Sequence, residues 1–270
     1  MCESLKELDL GHTTIKQVDN LYQVFYDCMS LEKLDISGWV DRNTSKKITN
    51  MNGLFYNCAL LEKIDLSFID DTSKVTDMTD IFRNCSKLTS LDISHWNTER
   101  VKSYKNMFNN CNKLEELDLS NFNFTDAEDI SYMFFNCRSL KSITLTNTLR
   151  AQTMSHLFDT CSSLTEIPID KIGIGSATDI SYLFSGCSSI TSLDLSSWDV
   201  EHIQNFSYMM YNCKSLSYLN LSNWRIGWVE LNVSRPSMTK MLNGCSSISY
   251  YDIILNMTDT QTRYLIQNSF

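Results

Sequence analysis

The feature that most constrains this chain is the spacing of its ten cysteines. Successive cysteines lie 26, 30, 27, 26, 26, 24, 26, 26 and 32 residues apart. A fixed period of this length is the mark of a repeat architecture, in which each unit contacts only its neighbours. The chain is therefore predicted to hold about ten repeats of roughly 26 residues, each with one cysteine.

The residues after each cysteine have the pattern of a short strand. The third residue beyond the cysteine is always Leu or Ile, and the sixth and eighth are apolar, as in Leu34 and Ile36 or Leu193 and Leu195. Alternation of this kind indicates a strand with one buried face.

The residues before each cysteine have the spacing of a helix. Apolar residues stand seven, four and three positions before it, as in Met78, Ile81 and Phe82. The position eight before it is always Asn, Asp, Ser or Thr, the types that accept hydrogen bonds at a helix start. Asn or Gly usually precedes the cysteine and can take the left-handed conformation that ends a helix. The pattern predicts a helix of about two turns.

These elements predict the fold class and the domains. We expect an α/β repeat solenoid of the leucine-rich-repeat type, with one short strand and one short helix per repeat and a single-layer parallel sheet. The solenoid should cover residues 1–255, with a truncated first repeat. Residues 256–270 form a C-terminal flank, an incomplete repeat or cap, in which 258–268 could be a last helix. Pro168 and the glycines after it predict a bend or weakened seam between Thr144 and Gly175.

The cysteines themselves could form disulfides, bind a metal or stay free. Small disulfide-rich domains place cysteines irregularly, and no CxxC pair or histidine cluster suggests a metal site. A cysteine at one fixed position per repeat favours a ladder of buried free thiols. No metal and no cofactor is expected, and the four scattered histidines are predicted to be solvated surface residues.

Two segments carry a resemblance to a known family. Residues 86–98 read SKLTSLDISHWNT, and residues 179–200 read DISYLFSGCSSITSLDLSSWDV. This pattern, which recurs from about residue 2 to 255, resembles the 26-residue repeat of BspA-like bacterial surface proteins. The resemblance implies an exported, extracellular or cell-surface protein that adheres to host proteins, matrix or cells, and it implies no catalytic residues. Because the chain starts within a repeat and has no signal peptide or apolar span, we expect a fragment of a longer protein.

The exposed middle column of the strands suggests where a ligand could bind. Seven of its ten residues are aspartates, and the candidate binding residues among them are Asp35, Asp65, Asp92 and Asp118. Like charges on neighbouring strands repel, so something must compensate. One interpretation is that local amides and the serine two residues on donate hydrogen bonds to each carboxylate. The other is a groove for cations or for a basic partner, which the net charge of -9 would support by steering.

Three aromatic residues form a second candidate partner-binding group, Tyr218, Tyr250 and Trp228. Exposed tyrosines of this kind can anchor an interface, or they can shield the terminal repeat. Trp228 lies in the longer of two variable loops, Val40–Thr49 and Arg225–Ser237. Such insertions often lie on the binding side of a solenoid, but the sequence favours tolerated surface loops for both.

The remaining patterns exclude other classes of function. No motif of a hydrolase, metalloprotease or phosphate-binding loop occurs, so an enzyme is not predicted. An acidic surface without a basic stripe argues against nucleic acid. The sequence favours a non-catalytic, monomeric adhesion or protein-binding module that uses the strand face or the edge loops. The alternatives are an intracellular interaction scaffold and a structural spacer.

Overall fold

The fold is a parallel solenoid of about eight turns. The computed structural model describes residues 2–13, 18–38, 48–67, 69, 71–225, 235–249, 253–255, 264–265 and 267–269. Within these residues the strands are β1 (Glu7–Asp9), β2 (Lys33–Asp35), β3 (Glu116–Asp118), β4 (Ser142–Thr144), β5 (Leu149–Arg150), β6 (Ile172–Gly173), β7 (Ser192–Asp194), β8 (Tyr218–Asn220) and β9 (Ile253–Ile254).

All the paired strands are parallel, as predicted. β1 pairs with β2, β3 with β4, and β7 with β8 and then β9, so that each strand lies beside its copy from the next repeat. No strand is assigned at 63–65 or 90–92 within the described chain, although the amide of Thr89 donates to the carbonyl of Glu62 at 3.1 Å. The predicted column of strands is therefore present, but some of the described repeats have no assigned strand.

The column breaks at the repeat that contains Pro168, where the sequence predicted a seam. A 3-10 helix, Ile169–Lys171, follows the proline, and no strand is assigned at 166–168. Pairing moves instead to β5 and β6, with Leu149 opposite Ile172. Proline has no amide to donate, so the sheet ladder cannot pass through this position.

The prediction of one helix per repeat is wrong. The segment before each cysteine is a run of turns, and within the described residues helix is confined to Ile169–Lys171 and to 264–265 and 267–269. In 51–58, the amides of Gly53, Phe55 and Asn57 donate to carbonyls of the next repeat at 2.7–3.0 Å. The amides between them close turns inside the repeat, as when Leu54 donates to the carbonyl of Met51 at 3.2 Å. We call this segment the turn run.

Stacking explains why the turn run replaces a helix. A helix would bond each amide to the carbonyl four residues earlier and leave its sides for apolar packing alone. Here the period places each segment beside its own copy, so half of the amides find acceptors in the neighbouring repeat. The residues predicted to be helix caps are instead bridge residues such as Asn50 and Asp77, and their side chains accept the amide two residues on, at 2.8–2.9 Å.

Left-handed residues shape every turn run. The Asn or Gly before the cysteine has the predicted left-handed backbone, with φ of 62° at Asn57, 63° at Asn110 and 69° at Gly186. A second left-handed residue lies four positions earlier, as in Gly53 (63°) and Tyr132 (58°). Two such residues per eight are incompatible with a right-handed helix, which uses negative φ throughout.

The core consists of columns that run the length of the solenoid. One column is a stack of seven phenylalanines with ring centroids 5.2–6.1 Å apart: Phe25, Phe55, Phe82, Phe108, Phe134, Phe158 and Phe184. Another holds the cysteines, which are free, and all of which except Cys2 are buried. The prediction of buried free thiols is therefore confirmed for nine of the ten.

A helix covers the C-terminal end of the turn runs. Residues 264–265 and 267–269 are helical, in agreement with the end of the helix predicted over 258–268, and residues 258–263 and 266 lie outside the described residues. The amides of Lys240 and Leu242 donate to the carbonyls of Asn268 and Ser269 at 2.9 and 2.7 Å. No helix in the described part of the chain has both the length and the apolar character needed to span a membrane.

Candidate binding face

The exposed middle column of the strands is a row of identical small turns. We call it the aspartate column; its members are Asp9, Asp35, Asp65, Asp92, Asp118 and Asp194. In each of them Oδ1 accepts the backbone amide two residues on, at 2.8–3.1 Å. The serine hydroxyl at that position also donates to Asp35, Asp92 and Asp194, at 2.6–2.8 Å. This confirms that local donors compensate the carboxylates.

These hydrogen bonds favour the charged form of four of the carboxylates. The amide and hydroxyl of Ser37 lower the pKa of Asp35, and the hydroxyl and amide of Ser94 lower the pKa of Asp92. The pKa values of Asp118 and Asp194 are lowered in the same way. Because a hydrogen bond to the ionised form favours ionisation, these side chains stay negative in mildly acidic solution.

The charges that flank the aspartate column change along the solenoid. Near the first strands, Lys33 forms an ion pair with Glu7 at 2.6 Å, which balances part of the charge. Around Asp92 and Asp118 the flanking column instead carries Ser90 and Glu116. The negative charge of Asp92 acts against the lowering of the Asp118 pKa, as expected for neighbouring like charges.

One of the three predicted aromatic anchors lies on this face. Tyr218 is in β8, opposite Ser192 of β7, and its side chain is 41% exposed. Tyr250 and Trp228 lie outside the described residues, as do most of the loops Val40–Thr49 and Arg225–Ser237. A search of the described residues finds no group of three or more His, Cys, Asp or Glu side chains that could hold a metal ion.

Sequence reasoning missed a stack of half-buried rings on the turn runs. Tyr132, His156, Tyr182 and Tyr208 stack with centroids 4.3–4.6 Å apart, and all four have left-handed backbones. The expectation of a solvated His156 is wrong, since Nδ1 of His156 also lies 2.8 Å from a carboxylate oxygen of Asp159. All four residues lie five positions before a cysteine, and this shared position could have revealed the stack from the sequence.

Solved structures of leucine-rich repeat proteins are similar to this chain. A leucine-rich repeat protein from Bacteroides ovatus aligns with a TM-score of 0.51 and 20% identity, over 90% of this chain and 59% of its own. A leucine-rich repeat protein from Eubacterium ventriosum aligns with a TM-score of 0.40 and 17% identity, over 94% of this chain and 59% of its own. A leucine rich cell surface protein from Faecalibacterium prausnitzii aligns with a TM-score of 0.33 and 14% identity, over 98% of this chain and 87% of its own. The first likeness identifies a leucine-rich-repeat fold; this chain spans less than two thirds of that protein.

Comparison with protein families gives a match along most of the sequence. A search of curated proteins found no match. The family described as Mycoplasma protein of unknown function, DUF285, matches residues 2–67, 19–148 and 138–253. Together these overlapping matches cover residues 2–253, from before β1 to the first residue of β9. The chain belongs to the DUF285 family.

Proposed function

We propose that this chain is a non-catalytic protein-binding module of a cell-surface protein, which binds a basic partner on the aspartate column. The observation that carries the proposal is the geometry of the carboxylates. One oxygen of each is fixed by an amide, so the side chain is held in place on an exposed strand before any partner arrives. Such preorganisation lowers the entropy lost on binding.

The charge pattern supports a basic partner. Beside Asp92 and Asp118 the flanking column carries Ser90 and Glu116 in place of lysine, and both aspartates are ionised at neutral pH. Acidic rows of this kind steer oppositely charged proteins and speed their association. Tyr218 would add an aromatic anchor on the same face.

The location and the adhesive role rest on the sequence pattern. The repeat resembles that of BspA-like surface proteins, which favours an extracellular adhesion module. An intracellular interaction scaffold would use the same face, and a structural spacer would need no ligand.

The chain itself supplies a substitution that removes charge without disturbing the turn. Asn220 occupies the same column, and its Oδ1 accepts the amide of Ser222 at 3.0 Å. An Asp92→Asn, Asp118→Asn double variant should therefore keep both turns. A charge-matched control is Asp126→Asn, Asp199→Asn, which removes two exposed carboxylates away from the strands.

The experiment is surface plasmon resonance of the purified chain against matrix proteins, together with adhesion to whole cells. We expect saturable binding that weakens with salt, and a loss of roughly fivefold to thirtyfold in affinity for the Asp92, Asp118 variant, since each of the two exposed charge contacts contributes about 0.5–1 kcal/mol. The control variant should bind like the original chain.

Two results would overturn the proposal. Equal weakening of both variants would show that net charge, not the aspartate column, governs binding. Absence of saturable binding to all the proteins and cells would favour the spacer.

A further inference from the structure

A cavity of about 400 Å³ lies at the turns that follow the strands in adjacent repeats. His95, Asn121 and Asn147 line it from the tenth position after successive cysteines. Asn97 and Asn123 line it from the twelfth position. The repeat thus places four amides and an imidazole around one opening, which adjoins the aspartate column at Ser94.

Each asparagine has one polar atom fixed by the fold. Oδ1 of Asn97 accepts the amide of Glu99 at 3.0 Å, and Oδ1 of Asn123 accepts the amide of Thr125 at 2.8 Å. Their Nδ2 groups form no hydrogen bond with the described residues. Two fixed donors are therefore left at the cavity.

The other pair of asparagines is held by the opposite atom. Nδ2 of Asn121 donates to the carbonyl of Ser94, and Nδ2 of Asn147 donates to the carbonyl of Phe122 at 2.8 Å. Their Oδ1 atoms have no hydrogen-bond donor among the residues that the structure describes. The cavity therefore presents two oriented donors and two oriented acceptors.

We propose that this cavity binds a neutral saccharide. A hydroxyl both donates and accepts hydrogen bonds, so a sugar with adjacent hydroxyls matches an arrangement of alternating amide donors and acceptors. The described lining has no lysine or arginine to attract an anion, and Glu99 disfavours one. The volume lies within the range of roughly 300–1,000 Å³ that small-molecule sites occupy.

Trp96 adds a polar group that lacks a partner beside the cavity. Trp224, in the same column, donates its Nε1–H to the carbonyl of Leu195 at 2.9 Å. Trp96 also lines the cavity, but its buried Nε1 has no hydrogen-bond partner in the described structure, and the same holds for Trp198 outside the cavity. An unpaired buried donor is costly, so a ligand that accepted a hydrogen bond from Nε1 of Trp96 would be favoured.

The test variant is Asn97→Asp, Asn123→Asp. Aspartate keeps the Oδ1 that holds each turn, as in the aspartate column, but replaces both free donors with acceptors. The charge-matched control is Asn20→Asp, Asn223→Asp. Asn20 stands in a column that already contains Asp77 and Asp129, and Asn223 occupies the tenth position after Cys213, outside the cavity.

The measurement is saturation-transfer difference NMR with lactose, maltose and N-acetylglucosamine, and with sialyllactose as the anionic comparison. We expect saturation transfer from the protein to at least one neutral sugar, and weaker saturation transfer to sialyllactose. The Asn97, Asn123 variant should lose at least about tenfold in affinity because two hydrogen bonds are removed. The control should bind normally, and circular dichroism should show that both variants fold.

Three outcomes would overturn the proposal. They are no transfer to any neutral sugar, undiminished binding by the folded Asn97, Asn123 variant, and equal loss in the control.

Discussion

The buried cysteine uses its backbone and its side chain to join two repeats. Its amide donates to the Phe carbonyl three residues earlier, as from Cys137 to Phe134 at 3.2 Å. Its thiol donates to the Phe carbonyl of the preceding repeat, as from Cys137 to Phe108 at 3.0 Å. The column therefore needs a small, mostly apolar side chain that carries one hydrogen-bond donor.

This arrangement predicts a loss of stability in alkaline solution. Burial raises the pKa of Cys85 and of Cys137 to about 12, from an ordinary value of 9.0. Between those values the unfolded thiols ionise while the folded ones keep their protons, so the free energy of unfolding should fall as the pH rises from 9 towards 12. The slope is about 1.4 kcal/mol per pH unit for each such thiol once the unfolded form is fully ionised.

Urea denaturation at a series of pH values measures this effect. A Cys137→Ala variant should be less stable at neutral pH and show a shallower decline above pH 9. An equal slope in the variant and the original chain would contradict the prediction.

At the scale of the element, the turn run depends on residues that tolerate positive φ. Asn110 has a φ of 63°, and its amide side chain also links three repeats. Its Nδ2 donates to Asn84 at 2.7 Å, and its Oδ1 accepts from Asn136 at 2.5 Å. Backbone conformation and side-chain bonding therefore favour Asn at this position.

Two substitutions separate these contributions. Asn110→Gly keeps the left-handed backbone and loses the side-chain bonds, whereas Asn110→Ala loses both. We expect Ala to be less stable than Gly by roughly 1–2 kcal/mol, the cost of the left-handed conformation for a residue with a Cβ. Thermal unfolding followed by circular dichroism compares them, and equal melting temperatures would argue against strain at this turn.

The sequence predicted the repeat, the parallel strands and the left-handed Asn positions because each depends on local residue types. It failed at the turn run, where the apolar spacing of Met78, Ile81 and Phe82 fits a helix and the observed turns equally well. The turn run differs from a helix in its backbone hydrogen bonds, which join residues about 26 apart. The periodicity within one repeat carries no information about these hydrogen bonds. Gly53, inside a predicted helix, was a signal against it.

The candidate sites were predictable to different extents. The sequence placed Asp92 and Asp118 on one exposed face and anticipated their serine donors. It did not indicate the cavity. Asn97 lies beside Asn123, and Asn121 beside Asn147, only because the repeats stack.

At the scale of the whole molecule, the seam at Pro168 interrupts the strand column and the bridge between Thr153 and Asp179, but the later part of the turn runs stays paired. The amides of Phe158 and Thr160 donate to the next repeat at 2.9 and 2.6 Å, and Phe158 stacks on Phe184. Coupling between the two halves of the solenoid therefore passes through the turn runs and the core.

Hydrogen exchange should reveal this division. We expect the amides of 169–171 to exchange through local opening, much faster than those of Phe158 and Thr160, which should exchange only with global unfolding. The amides of 116–118, in a regular strand, are the comparison. Equal protection at 169–171 and 116–118 would show that the seam is not a weak point.

The C-terminal helix has a consequence for self-association. A stack of parallel segments that ended in open amides would offer a template on which another chain could add, as happens in the growth of fibrils. In this chain the amides of Lys240 and Leu242 already donate hydrogen bonds to the carbonyls of Asn268 and Ser269. Polymerisation by backbone pairing at those two amides would first require the helix to detach.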